Sequence, residues 1–170
     1  CFNEAVDLCK KMNYFQSLGM CHRGIGLIYL DQGKWTLAQK EFKKANRFHQ
    51  KAEHTTAFEA TTVFLGMTYF FEEKYDKAKE LINKAVMITQ RRRDVSFYDT
   101  SAKSAKILLS SKIGECAEKE IDEFCDLLIK SAKVKQINRE LYYASQSYLN
   151  IGNQKKADKY QKMCRKGLLK

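Results

Sequence analysis

The chain has 170 residues, 44% of them hydrophobic, and carries 31 basic against 20 acidic residues for a net charge of +11. Such a length can bury a substantial core, and no apolar run approaches the roughly 18 residues that a membrane-spanning helix needs. The charge favours anionic partners without identifying one.

The chain contains an internal repeat. Gly26 to Ala45 (GLIYLDQGKWTLAQKEFKKA) recurs forty residues later as Gly66 to Ala85 (GMTYFFEEKYDKAKELINKA). Gly26, Tyr29, Trp35, Ala38, Phe42 and Ala45 align without a gap on Gly66, Tyr69, Tyr75, Ala78, Ile82 and Ala85. Self-similarity at such a period marks a supersecondary unit that stacks on its own copies. The small residues let two helices approach closely, and the aromatic and aliphatic ones fill the space between pairs. The pattern predicts helix-turn-helix units.

Residues 1–12 read as the second helix of a repeat whose first helix is missing, because Phe2 and Ala5 lie forty residues before Phe42 and Ala45. The chain begins at Cys1, so it reads as a piece of a longer protein with an effector domain elsewhere. Its amphipathic start, with Glu4, Asp7 and Lys10, does not resemble a secretory signal. The first complete unit, 13–53, is expected to hold helices at 13–31 and 35–52 around a turn near Asp31 to Lys34. The second, 54–94, repeats this with helices at 55–72 and 75–92, and Arg91 to Arg93 place positive charge at the negative end of the helix dipole.

The third unit, 95–134, is degenerate. Ile121 and Cys125 stand forty residues after Leu81 and Ala85, and a turn Gly returns at Gly114, but Ser101, Ser104, Ser110 and Ser111 make its first helix polar. Helices are expected at 96–112 and 117–133. The last unit, 135–170, is clearer, since Tyr148, Gly152, Ala157 and Cys164 track Tyr29, Gly33, Ala38 and Ala45. Its second helix, about 154–168, sets Lys155, Lys156, Lys159, Lys162 and Arg165 against the single acid Asp158, which suits a solvent-facing terminal cap. Together the units form a single helical repeat domain over 1–170.

These landmarks resemble the tetratricopeptide repeat (TPR). Its pattern is met by Ile25, Gly26, Tyr29, Gly33, Trp35, Ala38, Phe42 and Ala45, and again by Leu65, Gly66, Tyr69, Tyr75, Ala78 and Ala85. Glu73 replaces the turn Gly and Ile82 the aromatic, the closing Pro is missing, and the period is 40 residues where the usual one is about 34. The resemblance implies an all-α fold, a right-handed TPR-type α-solenoid of antiparallel helix pairs with longer helices than usual.

No catalytic or metal-binding constellation is present in the sequence. His22, His49 and His54 form no His-x-x-x-His pair, no Cys-x-x-Cys occurs, and no Gly-rich phosphate loop is found. Cys21 and His22 are adjacent, which on a helix turns their side chains about 100° apart. The chain reads as a non-enzyme without cofactor or metal. Cys1, Cys9, Cys21, Cys116, Cys125 and Cys164 show no paired spacing, so a reduced, cytoplasmic protein is expected.

Binding is the better reading, because first helices of stacked pairs line a concave groove. Carrying the repeat's groove positions onto this sequence gives Arg23, Leu27 and Leu30, then Val63, Met67, Phe70 and Phe71, then Ser104 and Leu108, then Arg139, Tyr142 and Gln146. An apolar floor with polar and cationic edges suits a short extended peptide or protein segment. The alternative is that the apolar members simply pack between helices. Lys40, Lys43, Lys44, Arg47 and Lys51 fall on a second helix and read as solvated exterior.

Forty-residue repeats with long helices, no Pro and a Lys-rich exterior also resemble the sensor domains of Gram-positive quorum-sensing regulators of the Rap phosphatase and PlcR type. That resemblance implies a signalling peptide in the groove, backbone clamps from residues such as Asn13, Asn138 or Asn150, and an N-terminal DNA-binding or effector domain outside this chain. Three classes stay open: a peptide-sensing domain of an intracellular regulator, a general protein-interaction scaffold, and a nucleic-acid-binding fragment. A homodimer is compatible with each.

Overall fold

The computed structural model describes residues 2–90, 97–131 and 138–168. The chain divides into two compact units, Cys1–Asp94 and Val95–Lys170. The first holds α1 (Phe2–Lys11), α2 (Phe15–Asp31), α3 (Trp35–Lys51), α4 (Thr55–Phe71) and α5 (Tyr75–Gln90). The second holds α6 (Phe97–Lys112), α7 (Glu118–Ser131), α8 (Asn138–Asn150) and α9 (Gln154–Leu168). All regular structure among the described residues is helical.

In the first unit α1, α2, α3 and α4 end the same way. Asn13, Gly33, Glu53 and Glu73 carry φ of 54°, 71°, 52° and 60°, a left-handed residue every twenty positions. Around Gly33, the N–H of Lys34 donates to the carbonyl of Tyr29 and that of Gly33 to Leu30. The same pair of bonds recurs around Glu73, from Lys74 to Tyr69 and from Glu73 to Phe70. This is the Schellman arrangement, which satisfies the last carbonyls of one helix while reversing the chain into the next. Repetition at twenty residues means that both connections of a repeat use one turn, and the forty-residue period is two such halves.

Glycine adopts this conformation without the steric cost of roughly 1–2 kcal/mol that an L side chain meets there. Replacing Glu73 by Gly is therefore expected to raise stability by about 0.5–1 kcal/mol in chemical denaturation, the gain being reduced by the extra freedom of Gly in the unfolded chain. The reverse change tests the same cause in the second unit. At Gly152, with φ of 82°, an added Cβ would meet nothing within 4 Å, so the loss of about 1 kcal/mol expected for Gly152→Ala is a backbone effect alone.

Close approach of paired helices depends on Gly26 and Gly66. A Cβ at Gly26 would lie 2.6 Å from Cε1 of Phe42, and one at Gly66 would lie 2.8 Å from Cγ1 of Ile82. These are the residue pairs that the two copies of the repeat share. The resulting core gathers Leu30, Ala38, Phe42, Phe64 and Leu65, flanked by Leu27, Tyr29, Trp35, Tyr69 and Leu81. At the centre of the unit, α4 is buried on every face from Glu59 to Thr68.

The core of the second unit is built from Ile121, Phe124, Cys125 and Leu128 of α7, Leu141, Ala144 and Tyr148 of α8, and Ala157 and Tyr160 of α9. Asp122 ties these helices together. It accepts from the Tyr148 hydroxyl at 2.7 Å and from Lys156 Nζ at 2.6 Å, and the same ammonium lies 2.8 Å from Glu118. The hydrogen bond from Lys156, then that from Tyr148, holds the Asp122 carboxyl below its ordinary pKa.

Candidate binding surface

The expected groove residues fall into two groups. Val63, Met67, Ser104 and Leu108 are buried, with Met67 at 0% exposure, so they line no open surface and the expectation is corrected for them. Ser104 is accommodated because its hydroxyl donates to the Ser101 carbonyl, one turn earlier. Leu27 packs against the first core, and Leu30 belongs to it. Their apolar spacing serves helix packing, the alternative already implicit in such a stripe.

The others reach the surface. Phe71 is 37% exposed and stacks on Trp35 with ring centroids 5.0 Å apart, and Phe70 meets Phe71 edge-on at 5.4 Å. Arg23 is half-buried on α2. On α8, Arg139 is exposed, Tyr142 is 45% exposed and Gln146 is half-buried. Spacings of three and four put these three on one helix face. Leu149, 39% exposed, continues that face toward the C-terminal end of α8.

Sequence reasoning passed over Met20 and Ile28, which are exposed apolar residues on α2 at 42% and 45%. Their signal was present, since both lie off the packing stripe of Leu18, His22, Gly26 and Leu30. Of the two clamp candidates within the described side chains, Asn150 donates to the Ser111 hydroxyl and Asn13 forms a helix-ending turn, whereas the side chain of Asn138 lies outside the described set.

The histidines serve structure. His22 Nδ1 sits 2.6 Å from Glu41 Oε2, and Lys44 Nζ lies 2.7 Å from the other carboxylate oxygen. Burial pushes the Glu41 carboxyl up, but hydrogen bonds from Lys44 and His22 more than offset it, and its pKa lies below the ordinary value. His54 caps α4 by accepting from the N–H of Ala57 at Nδ1. His49 is fully buried against Gly19, with neither ring nitrogen hydrogen-bonded. Burial first, then the positive charge of Arg23, lowers its pKa to about 4.

Among the described residues no group of three or more His, Cys, Asp or Glu side chains is placed to hold a metal ion, and no helix is long and apolar enough to cross a membrane. Cys9, Cys21, Cys116 and Cys125 are free thiols.

Residues 63–91, the second half of α4 and the whole of α5, match the tetratricopeptide repeat family model. The fold is TPR-like. The crystal structure of BtubC (BKLC) from P. vanneervenii is similar over 99% of this chain and 73% of that one, with a TM-score of 0.65 at 12% identity. A Podosopora anserina kinesin light chain with nearly identical TPR-like repeats matches over 98% of this chain and 87% of that one, with a TM-score of 0.55 at 14% identity. No curated protein matches the sequence significantly. The matched repeat and the all-helical fold are those of stacked helix-pair repeats.

Proposed function

We propose that the chain is a non-catalytic peptide- or protein-binding domain and serves as the ligand-sensing part of a cytoplasmic regulator. The observation that carries this reading is the face of α8, where a cation (Arg139), an aromatic ring (Tyr142), an amide (Gln146) and an apolar side chain (Leu149) succeed one another along the helix. Such a face offers a carboxylate partner, a stacking surface and a backbone hydrogen bond to one extended segment. Arg23, Met20 and Ile28 on α2 supply a comparable mixture in the first unit. A DNA-binding or effector domain in the longer protein would receive the signal.

The test is mass spectrometry of what co-purifies with the protein from its native cell. A stoichiometric short peptide is expected, with affinity falling about tenfold in Tyr142→Ala, as for loss of one aromatic anchor worth roughly 1.4 kcal/mol. A large protein partner without a peptide would instead identify a general scaffold. Nucleic acid bound with a steep salt dependence would overturn both.

A further inference from the structure

A second surface lies within the first unit, on α3. Lys40, Lys43, Arg47 and Lys51 are exposed along this helix, and α3 itself carries no exposed acid; the nearest in sequence, Glu53, is exposed in the turn beyond Lys51. The one carboxylate of α3, Glu41, is buried and already engaged by His22 and Lys44. Half-buried Glu72, at the end of α4, is likewise engaged by Gln39 and Lys74. The row is also held in place. Lys43 of α3 and Lys77 of α5 both lie over the Tyr69 ring, at 6.0 Å and 5.9 Å from its centroid, and Lys51 lies over Phe15 at 5.3 Å. Cation–π contact restrains these long side chains before any partner arrives, so less rotamer freedom is lost on binding.

From these observations we infer that the exposed face of α3 docks an acidic helical segment of a partner protein. Successive cations along α3 rise about 4.5–6 Å, the spacing of carboxylates at three- and four-residue intervals on another helix. A single-stranded nucleic acid would need open aromatic faces for its bases, and here the Tyr69 and Phe15 rings lie beneath lysines. This surface is independent of the α8 reading, and either can fail without the other.

The test uses the full chain and a labelled alanine-based helical peptide of about 16 residues with Glu at every fourth position, long enough to span the row. Fluorescence anisotropy at low salt is expected to show binding that weakens about tenfold or more in the triple variant Lys40→Glu, Lys43→Glu, Arg47→Glu. The triple variant Lys155→Glu, Lys159→Glu, Lys162→Glu makes the same charge change on α9 and is expected to alter binding less than about twofold. The neutral double variant Lys40→Gln, Arg47→Gln, checked by its melting curve, gives the same answer should the reversal disturb folding. Failure of the Glu peptide to bind, equal losses in both triple variants, or displacement of the peptide by duplex DNA of matched charge would each overturn the inference.

Discussion

Replacing Gly26 by Ala is expected to destabilise the first unit by about 1–2 kcal/mol, even though Ala is the better helix former. Helix propensity alone would favour the change by roughly 1 kcal/mol. Against that, the new Cβ would lie 2.6 Å and 2.7 Å from two atoms of the Phe42 ring, which is itself fully buried. Overpacking of this kind costs about 1–3 kcal/mol or more, because a rigid ring in a filled core can only move by pushing its neighbours. Gly66→Ala should cost less, since its nearest atom belongs to the aliphatic side chain of Ile82. Urea denaturation of both variants, and of Gly26→Ala combined with Phe42→Leu, checks the cause. Recovery of stability in the double variant is the expected coupling, whereas additive losses would remove the steric explanation.

The ease with which this fold is read from sequence has the same origin. Gly26 with Phe42 and Gly66 with Ile82 are contact pairs, so the repeat in the sequence is a direct record of how each helix pair closes. Glu73 in place of the turn Gly did not hide the turn, because the flanking helices and the Schellman hydrogen bonds impose the left-handed conformation on it.

The binding surface was less legible. Assigning groove positions by repeat register presumes that each first helix keeps one face open, and the middle of α4 does not. A signal for this was available, as no charged residue occurs from Ala60 to Phe71, and a helix without a polar face is a buried one. The serines of α6 misled in the opposite sense. Ser104 and Ser111 made the helix read as polar, and Ser104 as a groove residue, but their hydroxyls donate to carbonyls one turn back and so can be buried at little cost. Ser101 reaches instead across to Glu140 of α8, at 2.8 Å. Among the described residues Arg139, Tyr142 and Gln146 share one face of the short first helix of the last repeat, while in the first unit Arg23, Phe70 and Phe71 also reach the surface.

Mild acidification is expected to cost the protein up to about 3 kcal/mol of stability through His49 alone, since a tenfold change in proton affinity corresponds to about 1.4 kcal/mol. Its imidazole is fully buried with both nitrogens unbonded, packed on Gly19, with the His54 ring 6.1 Å away and the charge of Arg23 nearby. The pKa falls to about 4 from an ordinary 6.5, so the unfolded chain takes up the proton first. Stability is therefore constant above about pH 6.5 and is lost as pH falls from there toward 4. The carboxylates act lower: Glu41 and Asp122, both held below their ordinary values, lose their contributions only as they protonate below about pH 4.5. Substitution of His49 by Phe separates the two, because a ring of similar shape keeps the contact with Gly19 but cannot titrate. Denaturation midpoints measured between pH 7 and 4.5 should fall for the natural chain and stay nearly flat for His49→Phe. Equal slopes in the two proteins would show that the loss arises elsewhere.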